Sequence, residues 1–98
     1  MTRGIAQMRI LTQVAALRSP EFWENYRQLP ADVRELADKN FKLLKQDSHH
    51  PSLRFKKIGI FWSARVGIRY RALAKERDEG LVWFWIGHHS EYEQYLKT

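Results

Sequence analysis

The chain contains no cysteine, which excludes a disulfide framework, a thiolate nucleophile and any cysteine-based zinc site. Long hydrophobic runs are missing too. The longest, Leu81 to Ile86, falls far short of the roughly 20 apolar residues that cross a bilayer. Residues 1–17 place Arg3, Gln7, Arg9, Thr12 and Gln13 among their apolar residues, so they lack the continuous stretch of a signal peptide. Glycine nowhere gathers into a phosphate-cradling loop. No serine reads as a nucleophile with its base, and no carboxylate cluster for two magnesium ions is visible. The expectation is a small cytoplasmic protein without a membrane segment, spanning residues 1–98 as one domain. Met8-Arg9-Ile10 could be an internal start, which would leave residues 1–7 as a loose leader.

What is present suffices for one core. With 44% apolar and 13% aromatic residues in 98, the chain can bury about two-thirds of its unfolded surface. The net charge of +6 is unevenly spread. Between residues 54 and 77, Arg54, Lys56, Lys57, Arg65, Arg69, Arg71, Lys75 and Arg77 face only Glu76, a net of +7 that exceeds the whole excess. Such a concentrated field favours a polyanion: RNA, DNA or an acidic protein segment.

Helical patterns come first and extended ones follow. Met8 to Leu17 is β-branched and aliphatic and reads as an opening strand, with a helix as the alternative. Ser19-Pro20-Glu21 is a helix-start signature: a capping hydroxyl, proline in the first turn and an acid near the positive dipole end. Phe22, Tyr26 and Leu29 fall on one side of that helix. Pro30 starts a second one, in which Val33, Leu36, Ala37, Phe41 and Leu44 recur at three- and four-residue steps among charged positions. Pro51 pushes His50 out of helical geometry. Residues 53–62, 65–75 and Leu81–Ile86 then read as strands, the last buried on both faces in mid-sheet. Lys75 to Gly80 reads as a polar hairpin turn, and Ser90-Glu91-Tyr92-Glu93 fits a capping box opening a short last helix. The expected class is α+β: a small, mainly antiparallel sheet of about four strands, an N-terminal helical hairpin packed on it and a short C-terminal helix.

Extended backbone over residues 65–75 would send Arg65, Gly67, Arg69 and Arg71 to one side. Three guanidiniums at alternate positions repel one another unless an anion joins them, and their planar fork matches phosphate. The alternative is pairing with the helix acids Asp32, Glu35 or Asp38. The histidines form two adjacent pairs, His49–His50 and His88–His89. Neighbours on extended chain diverge, so neither pair makes a metal site, and none is expected. His88 and His89 directly follow the buried strand, where an imidazole can give or take a proton near neutral pH. Tyr92 and Tyr95 lie three residues apart on the last helix, one to pack on the sheet and one free to stack on a base. Trp62, Trp83 and Trp85 read as core. The helical hairpin makes a poor helix-turn-helix, because Arg34, Lys39, Lys42 and Lys45 are balanced by Asp32, Glu35 and Asp38.

Three segments together resemble the RelE/ParE superfamily, the toxin halves of type II toxin–antitoxin modules. They are His50-Pro51-Ser52-Leu53-Arg54-Phe55-Lys56-Lys57; Trp62-Ser63-Ala64-Arg65-Val66-Gly67 with Tyr70-Arg71; and Trp83-Phe84-Trp85-Ile86-Gly87-His88-His89 with Tyr92. With the Leu29-Pro30 helix boundary, the resemblance covers roughly residues 18–96. It implies a small antiparallel sheet crossed by a helical hairpin, a cognate antitoxin as partner, and no metal or small-molecule cofactor. For the nuclease branch it implies ribosome-dependent cleavage of mRNA, in which a 2′-hydroxyl attacks the adjacent phosphate to leave a 2′,3′-cyclic phosphate and a 5′-hydroxyl. By position Arg71 matches the phosphate-holding arginine and Arg65 a supporting one. His89 matches a position that is arginine or histidine, and Tyr92 or Tyr95 the tyrosine that stacks on the base. Arg54, Lys56, Lys57 and Arg69 would line the RNA, with Lys57 or the other histidine a possible general base. The ParE branch shares the fold but inhibits DNA gyrase without cleaving RNA, and is the alternative reading.

Overall fold

The computed structural model describes residues 17–78 and 80–97. Along the chain, β1 (Leu17–Arg18) leads into α1 (Pro20–Arg27) and α2 (Ala31–Gln46), then a 3₁₀ turn (Pro51–Leu53). Next come β2 (Lys56–Ile58), β3 (Phe61–Val66), β4 (Tyr70–Arg77), β5 (Gly80–His88) and α3 (His89–Lys97). One sheet in the order β1-β5-β4-β3-β2 joins the strands, antiparallel except where β1 runs alongside β5. The class is α+β as expected, with five strands where about four were read. Of the expected opening strand over Met8–Leu17, only Leu17 lies among the described residues, in β1; the 1–7 leader lies outside them. No described helix is long and apolar enough to cross a membrane.

The helical hairpin forms where its signals stand. The Ser19 hydroxyl accepts the Phe22 N–H at 3.3 Å, Pro20 occupies the first turn, and Leu29 is buried at the corner. Pro30 precedes α2 without a side-chain cap. Arg34 instead ties the corner by donating Nη1 to the Leu29 carbonyl at 2.7 Å. Ala37 and Leu44 are buried, and Val33, Leu36 and Phe41 pack against the same core. That core joins Phe22 and Leu29 to Leu53, Ala64, Val66, Ala72, Ala74, Leu81, Trp83 and Ile86, so the hairpin covers one face of the sheet. Each fully buried leucine there contributes about 1.5–3 kcal/mol relative to exposure.

Three departures from the expected strands matter for the site. Residues 53–62 do not form one strand: Leu53 ends the 3₁₀ turn, and a Gly59–Ile60 turn separates β2 from β3. Residues 65–75 are not one strand either, because Gly67 to Arg69 form the β3–β4 turn. Gly67 has φ +69°, and a Cβ there would sit 2.7 Å from Leu36 Cδ2, so the position needs glycine twice over. Alternation of side chains continues unbroken across such a tight turn, and period alone therefore misses it. The third departure lies in β5. Its pairing with β4 shifts between Leu73 and Ala74, where Leu73 faces Trp85 and Ala74 faces Trp83, leaving Phe84 as the extra residue of a bulge. Strict alternation would turn both tryptophans to one face. With the bulge, Trp83 joins the hairpin core while Trp85 packs at 5.1 Å against Tyr95 of α3, on the opposite face.

Candidate functional site

The β3–β4 turn corrects the expected arginine row and replaces it with a tighter arrangement. Arg65, the penultimate residue of β3, is the direct cross-strand partner of Arg71 near the start of β4. Opposed residues of an antiparallel pair share a face, their Cβ atoms about 4.5–5.5 Å apart. Two guanidiniums are therefore set side by side across a hairpin. Arg69 does not join them: it is an exposed residue of the turn, and its carbonyl accepts the His89 N–H at 2.8 Å. That bond ties the start of α3 to the turn between the arginines.

Arg71 is half-buried and held by its own turn, donating Nη1 to the carbonyls of Tyr70 (2.8 Å) and Ile68 (3.2 Å). Burial pulls its pKa below the ordinary arginine value. The Arg65 charge adds to that pull, Tyr92 opposes it, and Arg54 adds a little more. Arg65 carries a buried Nε with no hydrogen-bond partner. Among the described residues no carboxylate forms an ion pair with Arg54, Arg65, Arg69 or Arg71; the expected alternative, pairing with Asp32, Glu35 or Asp38, is not formed. Asp38 instead accepts the Tyr26 hydroxyl at 2.8 Å. Like charges gathered without a counter-ion, one of them with an orphaned donor, make a place for an anion.

Arg54 adds its charge to this group. It ends the 3₁₀ turn in left-handed conformation (φ 47°, ψ 41°), the one non-glycine residue with positive φ among those described. The register also separates the lysine pair. Lys56 lies opposite Ser63, on the face of Arg65, whereas Lys57 lies opposite Trp62, on the hairpin face. There Lys57 Nζ pairs with Glu76 Oε2 at 3.0 Å, and the same oxygen accepts the Trp62 indole N–H at 2.8 Å. Lys57 thus faces away from the arginine pair.

Of the two tyrosines, the one that packs on the sheet is Tyr95. Tyr95 settles on Trp85 and Phe84, with ring centroids at 5.1 and 6.1 Å, and anchors α3 to the sheet. Tyr92 instead presents its ring to Arg71, whose guanidinium carbon lies 6.0 Å from the ring centroid. The histidines do not divide as expected. His88 and His89 were to diverge as neighbours on extended chain, but α3 starts at His89, and their rings stack at 4.6 Å with 29° between planes. The expected capping box does not form at Ser90 either: His88 Nδ1 accepts the Ser90 N–H at 3.2 Å and lies 3.0 Å from its hydroxyl. His50 does the same to Ser52, at 3.2 and 2.8 Å, at the head of the 3₁₀ turn. A His-x-Ser spacing occurs at both places in the sequence and is the signal that was overlooked. Among the described residues no three histidine, aspartate or glutamate side chains gather as a metal site would require.

One end of the sheet therefore carries Arg54, Arg65, Arg71 and Tyr92, with Lys56 on the arginine face nearby, and His88, opposite Tyr70 on the hairpin face, with His89 stacked on it. Such a set can grip a phosphate by forked hydrogen bonds, pass a proton through an imidazole and offer a ring for stacking.

Comparison with known proteins finds likeness in structure alone. No protein-family model matches the chain, and no curated protein matches it in sequence. Among solved structures it is similar to the RelB–RelE antitoxin–toxin complex of Methanococcus jannaschii, with TM-score 0.58 and 19% identity over 81% of this chain and 96% of that one. It is likewise similar to a double arginine-to-alanine variant of E. coli toxin RelE in the free state, with TM-score 0.55 and 16% identity over 81% of this chain and 86% of that one. The chain has the RelE fold.

Proposed function

We propose that this protein is the toxin of a type II toxin–antitoxin system and acts in the cytoplasm as a metal-independent, ribosome-dependent mRNA endonuclease that stops translation. The observation that carries the reading is the pairing of Arg65 with Arg71 across the β3–β4 turn, unneutralised by any described carboxylate and flanked by Tyr92. The RelE fold supports it. The donors are guanidinium and imidazole rather than carboxylate, which suits phosphodiester cleavage by charge stabilisation and proton transfer without a metal ion. Arg54, Lys56, Arg69 and His89 are exposed, so the site is an open shelf. An RNA strand would need to be held against it by a larger body, the role we give the ribosome.

In the proposed step the 2′-oxygen forms a bond to phosphorus and the bond from phosphorus to the 5′-oxygen breaks. Arg71 and Arg65 hold the non-bridging oxygens as charge builds on them. Protonated His89 gives its proton to the departing 5′-oxygen, and the products end in a 2′,3′-cyclic phosphate and a 5′-hydroxyl. The 2′-hydroxyl proton needs a base. Lys57 faces the other side of the sheet and the Nδ1 lone pair of His88 is engaged at Ser90, so the proton passes to water on the open shelf. Tyr92 stacks on the base beside the cut, and a cognate antitoxin covers the cationic shelf until it is removed.

The test is cleavage of a defined mRNA on purified ribosomes, with the product ends identified. His89→Ala should lose most activity. Absence of any ribosome-dependent cut, together with inhibition of gyrase by the same preparation, would replace this reading with the ParE-type one.

A further inference from the structure

The geometry points to His88 as a positioning residue for the site, acting through a cap on α3 and through the face of its neighbour's ring; this rests on the function proposed above. The first N–H groups of a helix have no partner within the helix and need an acceptor from the residue before it. Serine, threonine, aspartate or asparagine usually supplies one. Here the residue before α3 is His88, and its Nδ1 takes the Ser90 N–H at 3.2 Å. In this geometry Nδ1 is the accepting nitrogen of the ring.

An imidazole cap does something a hydroxyl or carboxylate cap cannot, because it brings a flat ring. One face of that ring lies on His89 at 4.6 Å, 29° from parallel, and Tyr70, its cross-strand partner, meets it edge-on at 5.5 Å. The His88 ring is thereby wedged between the sheet and the exposed His89 ring. Since His89 N–H is already fixed to the Arg69 carbonyl, the remaining freedom of His89 is in its side chain, and stacking restricts that freedom. The cap also holds the first turn of α3, from which Tyr92 is presented to Arg71. His88 thus sets two site groups, His89 by stacking and Tyr92 through the helix, while touching no reacting atom itself. His50 provides an internal comparison: it caps through the same His-x-Ser geometry at Ser52, and no ring is stacked on it among the described contacts.

Three readouts on the intact chain separate the cap from the ring. Hydrogen exchange of the α3 amides reads the cap, the His89 ring-proton chemical shifts read the stack, and single-turnover cleavage on ribosomes reads the consequence. His88→Ala should speed exchange in the first turn of α3 about tenfold, shift the His89 ring protons and lower the cleavage rate about tenfold at saturating ribosomes. His88→Asn restores an acceptor but no ring. Exchange should return to within about twofold of wild type, while the His89 shifts stay displaced and cleavage stays severalfold slow. Unchanged α3 exchange in His88→Ala would overturn the cap, and wild-type His89 shifts with full cleavage in His88→Asn would overturn the ring's role. The exchange and ring-shift measurements decide both points whether or not the wild-type chain cuts RNA, so failure of the nuclease reading is distinguishable from failure of this one.

Discussion

On the hairpin side of the sheet, Ala64, Val66, Ala72, Ala74, Trp83 and Ile86 meet Phe22, Leu29, Ala37, Leu44 and Leu53, and the one guanidinium at the edge of that cluster, Arg18, lies on the Phe41 and Trp23 rings. On the other side, the residues alternating with these along the same two strands include Arg65 and Arg71, placed opposite each other with a buried nitrogen left without a partner. Both faces obey one register. The hairpin face is satisfied within the chain, by apolar contact. The arginine face is satisfied only in part: Leu73, Trp85 and Tyr95 pack it towards the middle of the sheet, and at the end it is left with a cationic pair. An unfilled requirement on one face, supported by a complete core on the other, is how a small fold can afford a destabilising but useful arrangement.

The comparison breaks most sharply at Arg71. If it stabilises charge on the phosphate, Arg71→Ala should slow cleavage by roughly 10²–10³-fold while the thermal unfolding transition is kept, because a group repelled by Arg65 is being removed. Arg71→Lys should also be impaired, since a point charge cannot replace the planar fork. The counterpart on the other face is Leu81, fully buried in the hairpin core. Leu81→Ala should cost about 2–5 kcal/mol of stability in denaturant titration, with the specific activity of the folded fraction unchanged. A large stability loss from Arg71→Ala, or a loss of activity without destabilisation from Leu81→Ala, would erase the division of labour between the faces.

Much of this was readable from residue order. The helical hairpin follows from Ser19-Pro20, Pro30 and the stripe from Val33 to Leu44, because a cap, a breaker and a helical period are local signals. Lys75 to Gly80 marked the place of the β4–β5 connection but not its bounds, because β4 runs on to Arg77 and β5 begins at Gly80. The nearness of Arg65, Arg71 and Tyr92 was legible in outline, but not as a geometry. A strand period of two runs straight through Val66-Gly67-Ile68, so Arg65 and Arg71 read as neighbours on one strand rather than partners across two. Register between strands is set by bulges and turns at other places, which is why Lys56 and Lys57 could not be separated and why Trp83 and Trp85 part company at Phe84. The histidine caps were hidden for another reason: imidazole is an uncommon cap, and the rule that adjacent residues diverge stops where the strand does.

Gly87 sharpens the link between the faces and α3. It lies opposite Arg71, and a Cβ there would fall 2.6 Å from Trp85 Cζ2. Gly87→Ala must therefore push the Trp85 ring, on which Tyr95 of α3 rests. The expected result is a loss of about 1–3 kcal/mol in unfolding free energy, with cleavage reduced about tenfold as Tyr92 moves with its helix. Unaltered Tyr95 side-chain resonances in that variant would show that α3 is not seated through Trp85.

The smallest effects belong to the lysines and Glu76, and they test the register itself. Lys56→Ala, on the arginine face, should reduce cleavage severalfold or more, whereas Lys57→Ala should leave it unchanged, because its side chain is turned to Glu76 on the hairpin face. The Glu76 carboxyl is held below its ordinary pKa, chiefly by the Trp62 indole N–H and then by the hydrogen bond and charge of Lys57. A carboxyl depressed in the folded state binds its proton more readily when unfolded, so it stabilises the fold above the ordinary carboxylate range. That contribution is lost as pH falls through the depressed value. Glu76 and Lys57 are both well exposed, and solvent screening keeps the pair at a few tenths of a kcal/mol to about 1 kcal/mol. Glu76→Gln should thus be slightly less stable than wild type near pH 7, and the gap should close as the pH is taken down towards 3, with cleavage at neutral pH the same in both. A gap that is constant across that range would mean the carboxylate's charge does not hold β2 to the sheet, and a cleavage defect in Glu76→Gln or Lys57→Ala would move Lys57 back to the arginine face.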